Sequence, residues 1–167
     1  MSVLRINDLA ISLPTGADRE WAIHQIDLSI EAGQTLCVVG ESGSGKSVMA
    51  TAIMGLLAHG LQVRSGVIEL HGEELLQASP ERWRQLRGQS MGMVFQEPMT
   101  ALNPVMSCGD QLDELLLAHT DLNPTERREK VQAMLARVKL PDPPRMARSF
   151  PHQLSGGQRQ RIVIAMA

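Results

Sequence analysis

Aromatic side chains are almost missing from this sequence: no tyrosine, two phenylalanines and two tryptophans among 167 residues. A core must therefore rest on aliphatic residues and on the ten methionines, whose flexible thioethers fill irregular gaps. Only two cysteines occur, Cys37 and Cys108, far apart, which excludes a Cys-x-x-Cys redox or metal motif. Both read as small buried residues of a reducing compartment. No run approaches the roughly 20 apolar residues that span a bilayer. The start, Met1 to Asp8, lacks the basic and apolar regions of a secretion signal. A cytoplasmic location is the expectation. Excess charge of one sign is absent as well. The net charge of -2 offers no global electrostatic case for nucleic acid or for an anionic membrane surface. What is present is an ordinary globular composition, long enough for one sizeable core.

Hydropathy patterning divides the chain. Val3 to Leu13 and Ala22 to Ile30 read as two strands joined by a turn at Pro14-Thr15-Gly16, an antiparallel hairpin. In the second strand Ile26, Leu28 and Ile30 share one face. Thr35 to Val39 is short and apolar, which predicts a strand buried on both faces. A glycine-rich loop follows, then apolar residues at helical spacing from Ser47 to Leu57. Gly66 to Leu70 and Met91 to Phe95 read as further strands. Pro80 to Arg87 reads as a short helix capped by Ser79. Beyond that the texture is helical. Asp110 to His119 and Thr125 to Leu140 carry apolar stripes, with Thr125 as a candidate cap and residues 141–144 as a stop. A last helix opens after Leu154-Ser155-Gly156-Gly157. The division expected is a β region with the glycine loop over about residues 1–100, and helices over about 101–167.

Gly40-Glu41-Ser42-Gly43-Ser44-Gly45-Lys46-Ser47 matches G-x-x-x-x-G-K-[ST]. A triphosphate presents several charges and many acceptor oxygens. Glycines let the backbone turn tightly and bring N–H groups against those oxygens. The helix that opens near Lys46 adds unpaired N–H donors and the positive end of its dipole. Lys46 supplies a full charge, and the Ser47 hydroxyl suits Mg²⁺, a hard ion that prefers oxygen. A Gly/Ser turn before a lysine would match by composition in about one chain in a hundred. Here a predicted buried strand precedes the motif and a helix follows it, the context the chemistry requires.

Leu154-Ser155-Gly156-Gly157-Gln158 is rarer by composition, expected in about one chain in several thousand. It also opens a helix, so Ser155 and the two glycines offer donors to an anion. Gln96 ends a predicted strand between the two motifs. Its side-chain carbonyl suits Mg²⁺ or an oriented water; its plainer role is that of a polar strand end.

With these motifs the chain resembles the nucleotide-binding subunits of ABC transporters along essentially its whole length. Residues 40–47 are similar to their Walker A loop, Gln96 to the glutamine of their Q-loop, and residues 154–158 to their signature. The resemblance implies an α/β fold: a P-loop NTPase core of the ABC-cassette type, an antiparallel β-subdomain and an inserted α-helical subdomain, truncated here after the signature helix. It implies ATP and Mg²⁺ as ligands, with Ser47 and Gln96 at the metal. It also implies a head-to-tail dimer in which Ser155, Gly156, Gly157 and Gln158 serve the partner's nucleotide. Phe95-Gln96-Glu97-Pro98-Met99-Thr100-Ala101-Leu102-Asn103-Pro104 resembles the peptide/nickel importer branch. That branch implies transmembrane permease subunits, a second ATPase subunit and, indirectly, a solute-binding protein as partners. It implies no nucleic acid, and a place on the inner face of the cell membrane.

Two departures qualify the resemblance. Family members carry an aromatic residue in the first β region to stack on adenine; the aligned position is Leu13, and the nearest aromatic is Trp21, which either covers the base or staples the hairpin. Residues 1–167 also hold no apolar strand ending in Asp-Glu and no later histidine. Asp142 and His152 do not stand in for them. A partial sequence of a longer transport ATPase is the expectation. The alternatives are a non-catalytic nucleotide-binding fragment and a soluble ABC-type ATPase acting on nucleic acid or ribosomes.

Overall fold

A computed structural model describes residues 2–96 and 101–167. The chain divides into two compact units, Met1–Arg84 and Gln85–Ala167.

The first unit is built on a four-stranded antiparallel sheet in the order β2-β1-β3-β4. Strand β1 spans Ser2–Ser12, β2 Trp21–Glu31, β3 Gln62–Leu70 and β4 Glu73–Glu74. The hairpin read from the alternating pattern is present, with Ile6 opposite Leu28 and Ile11 opposite Ile23. Strand β1 is central because it is apolar enough to be covered: Ile6, Leu9 and Ile11 are fully buried. Strand β2 lies at the edge and keeps its charged face in water, so its Asp27 carboxylate accepts the Asp8 N–H at a bulge, 2.7 Å away. Helix α1, Lys46–Ile53, packs Met49 and Ala52 inward.

Two predicted strands do not form. Residues 35–39 have no regular structure, and Val39 is 91% exposed. Residues 92–95 are likewise irregular, after an isolated bridge between Arg87 and Met91. The reason is pairing. An apolar run becomes a strand only against a neighbour that takes up its N–H and C=O groups, and among the described residues neither 35–39 nor 92–95 pairs with a strand. Cys37 is exposed for the same reason, contrary to expectation, while Cys108 is buried as expected.

Helix α2, Pro80–Gln89, begins as read: the Ser79 hydroxyl accepts the Arg82 N–H at 3.2 Å. The second unit packs α3 (Cys108–His119), α4 (Pro124–Arg137), α5 (Pro143–Arg148) and α6 (Gly156–Met166) around Leu112, Leu135 and Ile162. Arg127 of α4 pairs with Asp113 of α3 at 2.8 Å. The cap of α4 is Asn123, not Thr125: its side chain accepts from Thr125 and Glu126, and Glu126 reaches back to the Asn123 N–H. Pro124 then occupies the first helical position, where its missing N–H has no partner to lose. Helix α5 was unexpected. Pro143 and Pro144 start a short helix rather than merely ending the previous one, with the Asp142 side chain as cap.

Candidate functional site: two glycine loops at helix starts

The phosphate loop begins at Gly40 and turns into α1 at Lys46. Gly45 stands at the helix start with φ 91° and no side chain caps the N–H groups beyond it. A Cβ at Gly45 would lie 2.5 Å from the Ala22 carbonyl oxygen of β2. The loop is thus pressed against the hairpin at a point only glycine fits. A Cβ at Gly40 would meet Ser44 Oγ at 2.8 Å and fill the loop's concave side, 3.9 Å from Lys46 Nζ. That ammonium donates to the carbonyls of Gly40 and Glu41, both at 2.7 Å, and to Ser44 Oγ at 3.2 Å. The Ser44 N–H turns to the Glu41 carbonyl at 3.2 Å. Ser42 and Ser47 are exposed. A lysine, an uncapped helix start, a hydroxyl and a backbone without Cβ atoms make a donor set that fits a polyphosphate with its metal ion.

Leu13 and Trp21 are both half-buried and line one hollow of about 620 Å³ beside the β1–β2 turn, with Arg19 and Arg64. The Trp21 ring also lies 5.3 Å from that of His24. Arg19 reaches the phosphate loop itself, donating from Nη2 to the Gly43 carbonyl at 2.8 Å. Sequence reasoning missed this residue. No spacing rule connects two positions 24 apart.

In the second unit, the buried Leu154 side chain anchors the other glycine loop in the helical core. Ser155 is the N-cap of α6. Its Oγ accepts the Gln158 N–H at 3.3 Å, and Gln158 Oε1 accepts the Ser155 N–H at 2.9 Å. Gln153 repeats half of this device five residues earlier, accepting the Phe150 N–H at 2.8 Å. A Cβ at Gly156 or Gly157 would touch nothing within 4 Å, so that face is open. Arg161 fastens α6 to the end of α4 through the Lys139 carbonyl, 2.8 Å away. Gln96 is exposed at the end of the irregular run 92–95. Residues 97–100, which include the Glu-Pro-Met of the importer-like run, lie outside the described residues. Asn103, near the end of that run, is held by a residue the sequence did not flag. The buried Gln111 accepts the Asn103 N–H at 2.9 Å and donates to the carbonyls of Asn103 and Met106.

Comparison with known proteins decides what this pair of loops belongs to. The family model for ABC transporters matches residues 23–167. The chain belongs to the ABC transporter family. It is 43% identical over 166 residues to the dipeptide transport ATP-binding protein DppD of Bacillus subtilis, covering 99% of this chain and 50% of that protein. The oligopeptide transport ATP-binding protein OppD of Escherichia coli is 40% identical over 166 residues, with 49% of its length covered. The chain therefore spans about half the length of the curated relatives it matches. Among solved structures it is similar to the dimeric ATP-binding cassette MJ0796 in a post-hydrolysis state bound to ADP and Pi. The TM-score is 0.82 at 25% identity, over 98% of this chain and 68% of that one. The same cassette in a second dimeric structure gives a TM-score of 0.83. The fold is thus the α/β fold of an ABC ATPase cassette. Among the described residues no helix is long and apolar enough to cross a membrane.

Proposed function

We propose that this chain is the nucleotide-binding part of an ATP-driven importer of peptides or related small solutes. The carrying observation is the uncapped start of α1, with Lys46 Nζ turned into the loop that precedes it. Identity of 43% to a dipeptide transport ATP-binding protein supports the solute class.

Residues 40–46 hold the phosphates: the backbone N–H groups take their oxygens, and Lys46 offsets their charge. Ser47 and Gln96 are the candidate oxygen ligands for the accompanying Mg²⁺. Bound ATP supplies the free energy of phosphoryl transfer, and the chain's own residues bind and orient it. Ser155, Gly156, Gly157 and Gln158 face the nucleotide of a second ATPase subunit. Ser155 Oγ accepts from Gln158 within its own helix, which leaves its O–H free to donate to a phosphate. The protein works on the inner face of the cell membrane beside permease subunits, supplied indirectly by a solute-binding protein. Nucleic acid is not a partner.

One observation favours a second reading, nucleotide binding without turnover. Residues 1–167 contain no apolar run ending in Asp-Glu, the pair that the family resemblance assigns to the attacking water. The two readings separate in one pair of measurements. Equilibrium binding of a fluorescent ATP analogue with Mg²⁺ should be lost by at least about thirtyfold in Lys46→Ala, the worth of a charge-assisted contact to phosphate. Unchanged affinity would sink the phosphate-loop assignment and both readings with it. Phosphate release by the wild-type chain then tests the second reading: turnover above background would overturn it, and none is expected from these residues alone.

A further inference from the structure

We propose that Arg19 is a positioning residue for the phosphate loop, acting through the Gly43 carbonyl; this rests on the nucleotide-binding reading above. Arg19 belongs to the turn between β1 and β2, not to the loop that carries the motif. Its Nη2 donates to the Gly43 oxygen at 2.8 Å. Gly43 has φ 81° and open space where a Cβ would stand, so the peptide that follows is held by hydrogen bonds at its two ends and not by side-chain packing: Arg19 on its oxygen and the Glu41 carbonyl on its N–H.

A trans peptide is planar, with its C=O and N–H pointing in opposite directions. Holding the Gly43 oxygen on the side of the turn therefore aims the Ser44 N–H at the loop's concave side. There it meets the Glu41 carbonyl at 3.2 Å, beside the Lys46 ammonium. Arg19 orients a donor that the Glu41 carbonyl holds and that a phosphate oxygen would take over, without reaching the phosphate itself. It is suited to the task because its long side chain carries a charged donor from the turn across to the loop. The hairpin thereby grips the phosphate loop at two points: the Gly45 backbone against Ala22, and the Gly43 carbonyl through Arg19.

The test compares Mg²⁺-ATP affinity among the full wild-type chain, Arg19→Ala, Arg19→Lys and Lys46→Ala, with thermal melting of each. Arg19→Ala should weaken binding roughly fivefold, as suits one exposed charge-assisted hydrogen bond. Its melting temperature should stay within about 2 °C of wild type, because Arg19 is exposed. Arg19→Lys, which still carries a donor, should recover affinity to within about twofold. The Arg19→Ala defect should persist at about 0.5 M salt, where a distant charge is screened. Equal affinity in Arg19→Ala, a defect that Lys does not rescue, or one that disappears at high salt would each overturn the proposal and leave the nucleotide-binding reading standing. If wild type binds no ATP, or Lys46→Ala binds like wild type, the reading itself fails and the proposal falls with it.

Discussion

The two glycine loops solve one problem in opposite ways. Both open a helix, and both present N–H groups at its positive end. At residues 40–47 the helix start carries no side-chain cap, and the glycine at the junction is pressed to within 2.5 Å of a neighbouring carbonyl at its missing Cβ. At residues 154–158 Ser155 and Gln158 already satisfy each other, and the glycines face open space. The first loop is shaped by the fold around it and leaves the first N–H groups of α1 without a side-chain cap. The second is shaped by its own cap and leaves the face of its glycines open. Glycine serves close packing in one and clearance in the other.

The widest separation between the two regions should appear at their cysteines. Cys37, exposed in the irregular run before the phosphate loop, should react with a thiol reagent at pH 8 at least about a hundredfold faster than Cys108. Burial pushes the Cys108 thiol up to about 11, so little thiolate forms there. The same shift makes folding hold a proton that the unfolded chain releases, so stability should fall as pH rises from 9 towards 11. Equal labelling rates would mean that the helical core around Cys108 opens freely. Next in size, Gly45→Ala should cost about 3 kcal/mol in chemical denaturation, from left-handed strain and the clash with Ala22. Ser155→Ala should cost about 1 kcal/mol, the worth of an N-cap. Gly156→Ala should stay within about 0.5 kcal/mol, since nothing lies within 4 Å of the added methyl. Similar costs for the two glycines would erase the contrast between the loops.

The hairpin was legible because the second half of β2 alternates in burial as it does in hydropathy, and both motifs were legible because their chemistry needs fixed residues at fixed spacing. The α6 cap was equally plain, since Ser155 and Gln158 are three apart. What stayed hidden depends on distant neighbours. Residues 35–39 have a strand's composition and no strand's partner, and local pattern carries no information about a partner. Asn123 and Thr125 are both good caps two positions apart, and what separates them is Pro124, which suits the first helical position. Gln111 and Arg19 act over 8 and 24 residues of separation, through contacts that only the folded chain creates.

Lys46 carries one more consequence. All three of its N–H donors can be occupied by its own loop, on the oxygens of Gly40, Glu41 and Ser44. The ammonium is thus the loop's internal counter-ion, holding two carbonyl dipoles that would otherwise repel each other. A phosphate that recruits it takes over an existing bond rather than capturing a free charge. The affinity gained is the difference between two partners, while the loop's shape is already set and little ordering entropy is lost on binding.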